Sequence, residues 1–541
     1  MELSPSAHAD TFCRDRLPPT DQWPELLFEL PELHYPDRLN CATALLDDRI
    51  AELGPDRRCL VTPHETWTYG DLLHRARQVA QVLTEDLGIV PGNRVLLRGP
   101  NNPWLVACWF GVLRAGGVVV TTMPLLRAHE LTTLCAISRP VVAISDHRFA
   151  GELAAADTGA TVLTYGGPDD LENDLVTRCV AKEGVFGPVE TAADDVALIG
   201  FTSGTTGRPK ATMHFHRDVL ANADTFSRHV VKPNPDDLFT GTPPIGFTFG
   251  LGGLVVFPLH AGAATLLVEQ ATPEQLVKLV EEFGVTVLFT APTAYRAILA
   301  AGLAGRMAAV RRCISAGEAL PATVWEDFHQ ASGVRIIDGI GATEMLHVFI
   351  SAADDDIRPG ATGREVPGFR AAVLGADGAP VADGEPGILA VKGPTGCRYL
   401  DDERQAAYVR DGWNLTGDTY IRDADGYYWY QARSDDMIIS SGYNIAGPEV
   451  EVALSGHPDV AECGVVGAPD EARGMIVKAY VVLRAGAAPD EATAKDLQAY
   501  VKRTVAPYKY PRAVEFVDAL PRTSNGKLQR AVLRQWAAEG R

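Results

Sequence analysis

The sequence predicts an α/β protein, with a large N-terminal domain of mixed α/β subdomains plus a β-rich subdomain, and a small C-terminal α+β domain. Three observations lead there. Short buried-strand patterns alternate with amphipathic helical ones through the first half of the chain. After about residue 360 the texture changes to short β segments separated by glycine turns. Charge is also unevenly placed: Arg433 to Arg541 holds 14 basic and 14 acidic residues, leaving 35 and 55 for the first 432. A chain of 541 residues is too long for one core, so domains of 1–432 and 433–541 are expected.

Arg94 to Leu97 and Val118 to Thr121 read as short buried strands, with Trp104 to Arg114 as a helix between them. Val141 to Ile144, Val162 to Tyr165, Ala197 to Phe201 and Val287 to Thr290 repeat the strand type. Pro273 to Phe283 reads as a helix feeding a parallel strand, which implies covered sheets. In the β-rich stretch, Ala371 to Leu374 and Ile388 to Lys392 flank the turn Ala376-Asp377-Gly378. From Ser434 onward, helices over Pro448 to Ser455 and Ala494 to Val505 accompany strands over Glu462 to Val466 and Lys478 to Leu483.

The net charge of −20 argues against a chain built to coat nucleic acid or an anionic membrane. Nine scattered cysteines form no CxxC pair, so neither a zinc site nor a disulfide framework is indicated. No basic region followed by an apolar run opens the chain, and no stretch approaches a bilayer-spanning length. The expected compartment is the cytoplasm, with no membrane insertion; a homodimer is compatible with the sequence.

The strongest chemical feature is Thr202-Ser203-Gly204-Thr205-Thr206-Gly207-Arg208-Pro209-Lys210, directly after an apolar strand. Its glycines allow a tight backbone, and its hydroxyls, amides and lysine can wrap phosphate oxygens. It is not a Walker A loop, because no GK[ST] follows. Asn525-Gly526 is a turn signal that would present Lys527 at a loop tip. His214 and His216 form an HxH without a third ligand at zinc-like spacing, and read instead as flanking the start of an Asp218 to His229 helix.

The 202–210 loop resembles the phosphate-binding signature of the adenylate-forming superfamily, which comprises acyl- and aryl-CoA ligases, peptide-synthetase adenylation domains and luciferases. Further motifs of that family follow in order over essentially the whole chain. Ile340-Gly341-Ala342-Thr343-Glu344 resembles the segment whose Thr meets phosphate and whose Glu holds magnesium, with Ile340 where the family usually carries an aromatic residue. Ala316, Gly317 and Glu318, with Asp338, Gly339 and Ile340, resemble the segments around the adenine. Thr416-Gly417-Asp418 resembles the motif whose Asp accepts the ribose hydroxyls. The stretch Ala432 to Tyr443 resembles the hinge motif, implying that Arg433 contacts the nucleotide and that Asp435 is the pivot of a mobile C-terminal domain. Gly442 and Tyr443 are implied to lie on the face turned to coenzyme A, and Lys527 to be the adenylation lysine.

Pro243 to Gly250 resembles the wall of the family's acid pocket. Asp338 to His347 is similar to the benzoate-type ligases, while Tyr35 to Asn40 and Ile438 to Pro448 resemble the 2-aminobenzoate branch. The resemblance implies a compact aromatic acid against Phe247, Thr248 and Phe249, with Gly341 nearby and His347 as a polar contact at the ring's far side. ATP, Mg2+ and CoA are the implied cofactors and cosubstrates. The motifs leave open loading of the acid onto a carrier-protein phosphopantetheine, and, from another class, a non-catalytic nucleotide-binding homologue.

Overall fold

The computed structural model of the chain describes residues 3–168, 173–202, 209–433, 436–440, 443–470, 474–505, 509–523 and 526–540, without side chains at 439, 443, 444 and 474. Ser203, Gly204, Thr205, Thr206, Asp435 and Gly442 lie outside the described residues, as does the Tyr443 side chain. Two compact units are present: Met1–Ala371 with Val391–Asn414, and Ala372–Ala390 with Leu415–Arg541. The second unit thus takes in more chain than the stretch after residue 432. Counting charge along a sequence cannot register that Asp418 and Arg433 face each other across antiparallel strands, which draws both into one unit.

The first unit contains two sheets. In one, the strands Thr161–Tyr165, Val142–Asp146, Arg94–Arg98, Val118–Thr122 and Val196–Thr202 run parallel in that spatial order, and Lys210–Phe215 closes the edge antiparallel. Arg94–Arg98 and Val118–Thr122 are buried along their whole length, which explains why they read as continuous apolar runs rather than alternating ones. The expected helix between them is Pro103–Arg114. Asn102 caps it by accepting from the Leu105 amide, and Pro103 fills a first-turn position where no amide donor is needed. Its last residue, Arg114, is fully buried and ion-paired with Asp47.

The other sheet has nine strands, in the order Arg364–Glu365, Val348–Ser351, Ile336–Gly341, Arg312–Ala316, Val287–Thr290, Leu238–Gly241, Ala264–Leu266, Arg58–Val61 and Thr66–Thr68. The strands from Ile336–Gly341 to Arg58–Val61 are parallel, Val348–Ser351 and Thr66–Thr68 flank them antiparallel, and Arg364–Glu365 pairs antiparallel with Val348–Ser351. Helix Pro273–Phe283 has the bounds its apolar period predicts, and Thr272 and Gln275 form a reciprocal capping box at its start. Its buried Leu276, Val277 and Val280 join the core beside Leu288 and Cys313. Thr202, Gly241, Thr290, Ala316 and Gly341 all end strands at their carboxyl side, the end of a parallel sheet where ligands enter α/β folds.

The helix expected over Asp218 to His229 opens two residues earlier, at His216, and widens into a π-helix over Ala223–Val231. In the second unit, strands Tyr443–Ala446, Met437–Ser440, Gly474–Leu483 and Val460–Asp470 form an antiparallel series, with Ala513–Phe516 parallel to Gly474–Leu483. Helices Gly447–Ser455, Glu491–Thr504 and Arg530–Ala538 complete its α+β character, and Val450, Leu454, Val465, Val481 and Leu497 lie in its core. All nine cysteines are free thiols, eight buried and Cys463 half-buried. Among the described residues no helix is long and apolar enough to cross a membrane.

Replacing Thr272 by Ala removes the side-chain half of the capping box and should destabilise the first unit by about 1 kcal/mol. Denaturant unfolding followed by tryptophan fluorescence measures it, and an unchanged midpoint would contradict the assigned cap.

Candidate active site

Glu344 lies in the turn Thr343–Met345, between strands Ile336–Gly341 and Val348–Ser351. Its residue is 7% exposed, so it is not a solvated loop carboxylate. The Tyr399 hydroxyl donates to Glu344 Oε1 at 2.5 Å, and Lys210 Nζ donates to the same hydroxyl at 2.9 Å. Lys210 Nζ itself stands 3.9 Å from Glu344 Oε1. Burying a carboxylate costs several kcal/mol unless an opposite charge and hydrogen bonds face it, and here both do.

The backbone of the same turn is also held. His214 Nε2 lies 2.8 Å from the Thr343 carbonyl oxygen, a contact in which the ring nitrogen must donate. His214 Nδ1 faces Asp218 at 3.8 Å, and Asp218 is ion-paired with Arg398. All three side chains are fully buried. Burial would raise the Asp218 carboxyl, but the Arg398 guanidinium, followed by His214 and Arg217, holds it well below the usual carboxylate range. His216 Nδ1 accepts from the Cys41 amide at 3.2 Å, and among the described residues no group of three His, Cys, Asp or Glu is arranged around an ion site. Leu346, just after the turn, has φ +69° and ψ −34°, a conformation that costs a bulky side chain about 1–3 kcal/mol and is kept only where surrounding contacts impose it.

The segments expected around the adenine are adjacent strand ends. Ser315 pairs with Asp338 and Ala316 with Gly339 in parallel register. Gly317 and Glu318 follow at the strand end, with Glu318 3.7 Å from Arg296. Asp338 Oδ1 and Ser315 Oγ are shut off from solvent without a completed hydrogen bond. Burial pushes the Asp338 carboxyl up to about 8, against weaker contributions from Ser315 and the Gly339 and Leu320 amides. Ile340 is half-buried, and Thr202 and Thr343 are half-buried at the neighbouring strand end and turn. A methyl group on Gly200 would lie 3.0 Å from Thr343 Cγ2 and 3.8 Å from Thr248 Cγ2, so all three positions converge.

Phe247 and Phe249, expected along the acid pocket, lie at the start of a short helix. Phe247 stands with extended backbone at the N-cap position of the short helix Thr248–Leu251, and Phe249 lies within that helix. Phe249 sits 5.5 Å from both the Phe289 and His347 rings. His347 is also 5.3 Å from Phe226, 4.6 Å from Phe257 and 6.4 Å from Phe289. It is 3% exposed, and neither ring nitrogen completes a hydrogen bond. Gly252 allows this packing: a Cβ there would come within 2.3 Å of His347 Cδ2. Burial drives the His347 pKa down to about 3.

In the second unit Gly417 takes φ +76°, turning the chain so that Asp418 faces Arg433, whose Nη1 is 3.4 Å from Asp418 Oδ1. Thr416 braces the turn by donating to the Leu389 carbonyl and accepting from the Asp418 amide. Lys527 is exposed and bonded to Thr523, whose amide donates to the Lys527 carbonyl at 2.7 Å and whose Oγ1 accepts from the Lys527 amide. Sequence reasoning missed Tyr399, Arg398, Asp218 and the Phe226, Phe257 and Phe289 rings. Tyr399 lies 189 residues from Lys210 and 55 from Glu344, so no local spacing could reveal the contact.

The unfolded imidazole takes up its proton near 6.5, whereas buried His347 and His216 refuse it down to about 3. Between those values the unfolded chain binds more protons, so stability falls with acidification across that window. A His347→Leu chain should show a shallower loss of unfolding free energy from pH 6.5 to 4; an unchanged slope would contradict a neutral buried ring.

Residues 47–398 match the AMP-binding enzyme family, and residues 449–527 the AMP-binding enzyme C-terminal domain. The chain is 33% identical over 515 residues to a benzoate–CoA ligase of Thauera aromatica, covering 93% of this chain and 97% of that protein. It is 31% identical over 517 residues to a 3-hydroxybenzoate–CoA ligase of Aromatoleum sp. (strain CIB), covering 93% and 98%. A crystal structure of an anthranilate CoA ligase in complex with anthranoyl-AMP superposes with a TM-score of 0.88 at 31% identity, covering 94% of this chain and 99% of that one. With strand ends, buried Glu344 and both family regions in place, the chain belongs to the AMP-binding, adenylate-forming enzymes.

Proposed function

We propose that this protein is an ATP-dependent, AMP-forming ligase that joins a small aromatic carboxylic acid, of the benzoate or 2-aminobenzoate kind, to coenzyme A in the cytoplasm. The observation that carries this reading is the buried Glu344 bridged to Lys210 through Tyr399, three residues from an imidazole enclosed by phenylalanines. The first arrangement suits a polyphosphate with its cation, the second a flat apolar ring. Kinship with ligases named for benzoate, 3-hydroxybenzoate and anthranilate supports the choice of acid.

In this reading Thr202, Ser203, Gly204, Thr205, Thr206 and Lys210 hold the phosphates, with Thr343. Ala316, Gly317, Glu318, Asp338, Gly339 and Ile340 surround the adenine, Asp418 receives the ribose hydroxyls and Arg433 meets the nucleotide. Glu344 would hold a magnesium ion, because it offers a buried, hard anionic oxygen of the kind that Mg2+ prefers. Bound there, the ion offsets charge on the departing pyrophosphate. Phe247, Thr248, Phe249, Gly341 and His347 receive the acid.

The acid's carboxylate oxygen attacks the α-phosphorus, the bond to the β-phosphate oxygen breaks, and pyrophosphate leaves. The two reacting groups are both anionic, and Lys527 supplies the ammonium that stabilises charge between them. The CoA sulfur then attacks the acyl carbon, the bond to AMP breaks, and the thiol proton is released. Asp435 is the proposed pivot between these half-reactions, with Gly442 and Tyr443 on the face that receives CoA.

Acid-dependent ATP–pyrophosphate exchange over benzoate, 2-aminobenzoate, hydroxybenzoates and a medium-chain fatty acid tests the substrate class; preference for the fatty acid would sink the aryl reading. Free CoA and a carrier protein, offered in turn as acceptors, should yield thioester only with CoA. A Lys527→Ala enzyme should lose adenylation by several orders of magnitude yet still turn over supplied acyl-adenylate. Equal loss of both steps would refute that division of labour.

A further inference from the structure

Tyr399 belongs to an extended segment that lies along strand Lys210–Phe215. The Met213 amide donates to the Arg398 carbonyl, the Leu400 amide to the Ala211 carbonyl, and Thr212 pairs with Tyr399. The Tyr399 amide donates to Gln405 Oε1 at 2.9 Å. Its backbone is therefore fixed on two sides, and its ring packs edge-on against Tyr408 at 5.7 Å. Successive side chains of an extended segment point to opposite faces. Arg398 accordingly reaches Asp218, and through it His214 and the Thr343 carbonyl. Tyr399 reaches the Glu344 carboxylate itself.

A phenol has one hydrogen to donate and lone pairs to accept with. In Tyr399 the hydrogen goes to Glu344 and a lone pair receives Lys210. Without the hydroxyl, an ammonium and a carboxylate 3.9 Å apart have nothing between them and would close to a direct contact of about 2.8 Å. Both groups would then be spent on each other rather than on a nucleotide and its cation.

We propose that Tyr399 is a positioning residue that spaces Lys210 from Glu344 and orients the Glu344 carboxylate for the nucleotide-bound divalent cation. The inference rests on the assignment of Lys210 to phosphate and Glu344 to magnesium. Arg398, next in sequence, fixes the backbone of the same turn, so two adjacent residues set both the position and the orientation of one carboxylate.

The test is the Mg2+ dependence of ATP binding, measured by calorimetry on the full chain at fixed ATP, for wild type, Tyr399→Phe, Lys210→Gln, the double variant and Glu344→Gln. Tyr399→Phe keeps the ring and removes one charge-assisted hydrogen bond, and should raise the Mg2+ midpoint about tenfold. The KM for the acid in pyrophosphate exchange should be unchanged. In the Lys210→Gln background the same substitution should shift the midpoint less, because there is no ammonium left to hold away. A Tyr399→Phe chain that titrates like wild type while Glu344→Gln is weakened would overturn the role of Tyr399 alone. A lowered melting temperature with an unchanged Mg2+ midpoint would mark a purely structural residue and overturn it as well. If Glu344→Gln also titrates like wild type, the cation assignment fails and takes the proposal with it.

Discussion

A carboxylate placed among strand ends and packed side chains needs compensation, and for Glu344 that need organises much of the first unit. Lys210 supplies the charge and Tyr399 the hydrogen bond. Each must then be held in its turn: Lys210 by the edge strand that it begins, and Tyr399 by the segment paired alongside that strand. The turn that bears Glu344 is pinned through His214, which requires Asp218, which requires Arg398. Removing one member of such a chain leaves a buried charge without its partner, which costs more than the pair contributes when intact. The unusual backbone of Leu346 fits the same logic, since neighbours that fix a turn this closely can impose a conformation the residue would not choose.

What could be read from the sequence was whatever the chain writes locally. The α/β character, the helix Pro273–Phe283 and the strand Val287–Thr290 follow from period and capping within a dozen residues. The segments Ala316 to Glu318 and Asp338 to Glu344 stood out only through their resemblance to family motifs, and the register places Ala316 beside Gly339. Tyr399 was not legible: a lone tyrosine gives no sign of a lysine and a glutamate brought to it by strand pairing. Asp418 and Arg433, paired across antiparallel strands though they lie on either side of the boundary that charge suggested, belong to one compact unit.

The surroundings of His347 show how an apolar site can contain a polar ring. Four phenylalanines and a glycine enclose the imidazole, and desolvation keeps it neutral through the physiological range. Such a ring offers edge and face contacts like its aromatic neighbours while retaining a donor and an acceptor. The absence of a Cβ at Gly252 makes room for it, so the shape of this region depends on one missing methyl group as much as on any side chain present.

The nine thiols acquire a different meaning in a protein that makes thioesters. An acyl-adenylate is an electrophile that any thiolate nearby can intercept, including the enzyme's own. Here burial raises every cysteine, with Cys135 pushed up to about 11 and Cys13, Cys179 and Cys313 to about 12. Even half-buried Cys463, whose thiol donates to the Glu451 carbonyl, is pushed up to about 12. At neutral pH the protein therefore carries almost no nucleophilic sulfur of its own.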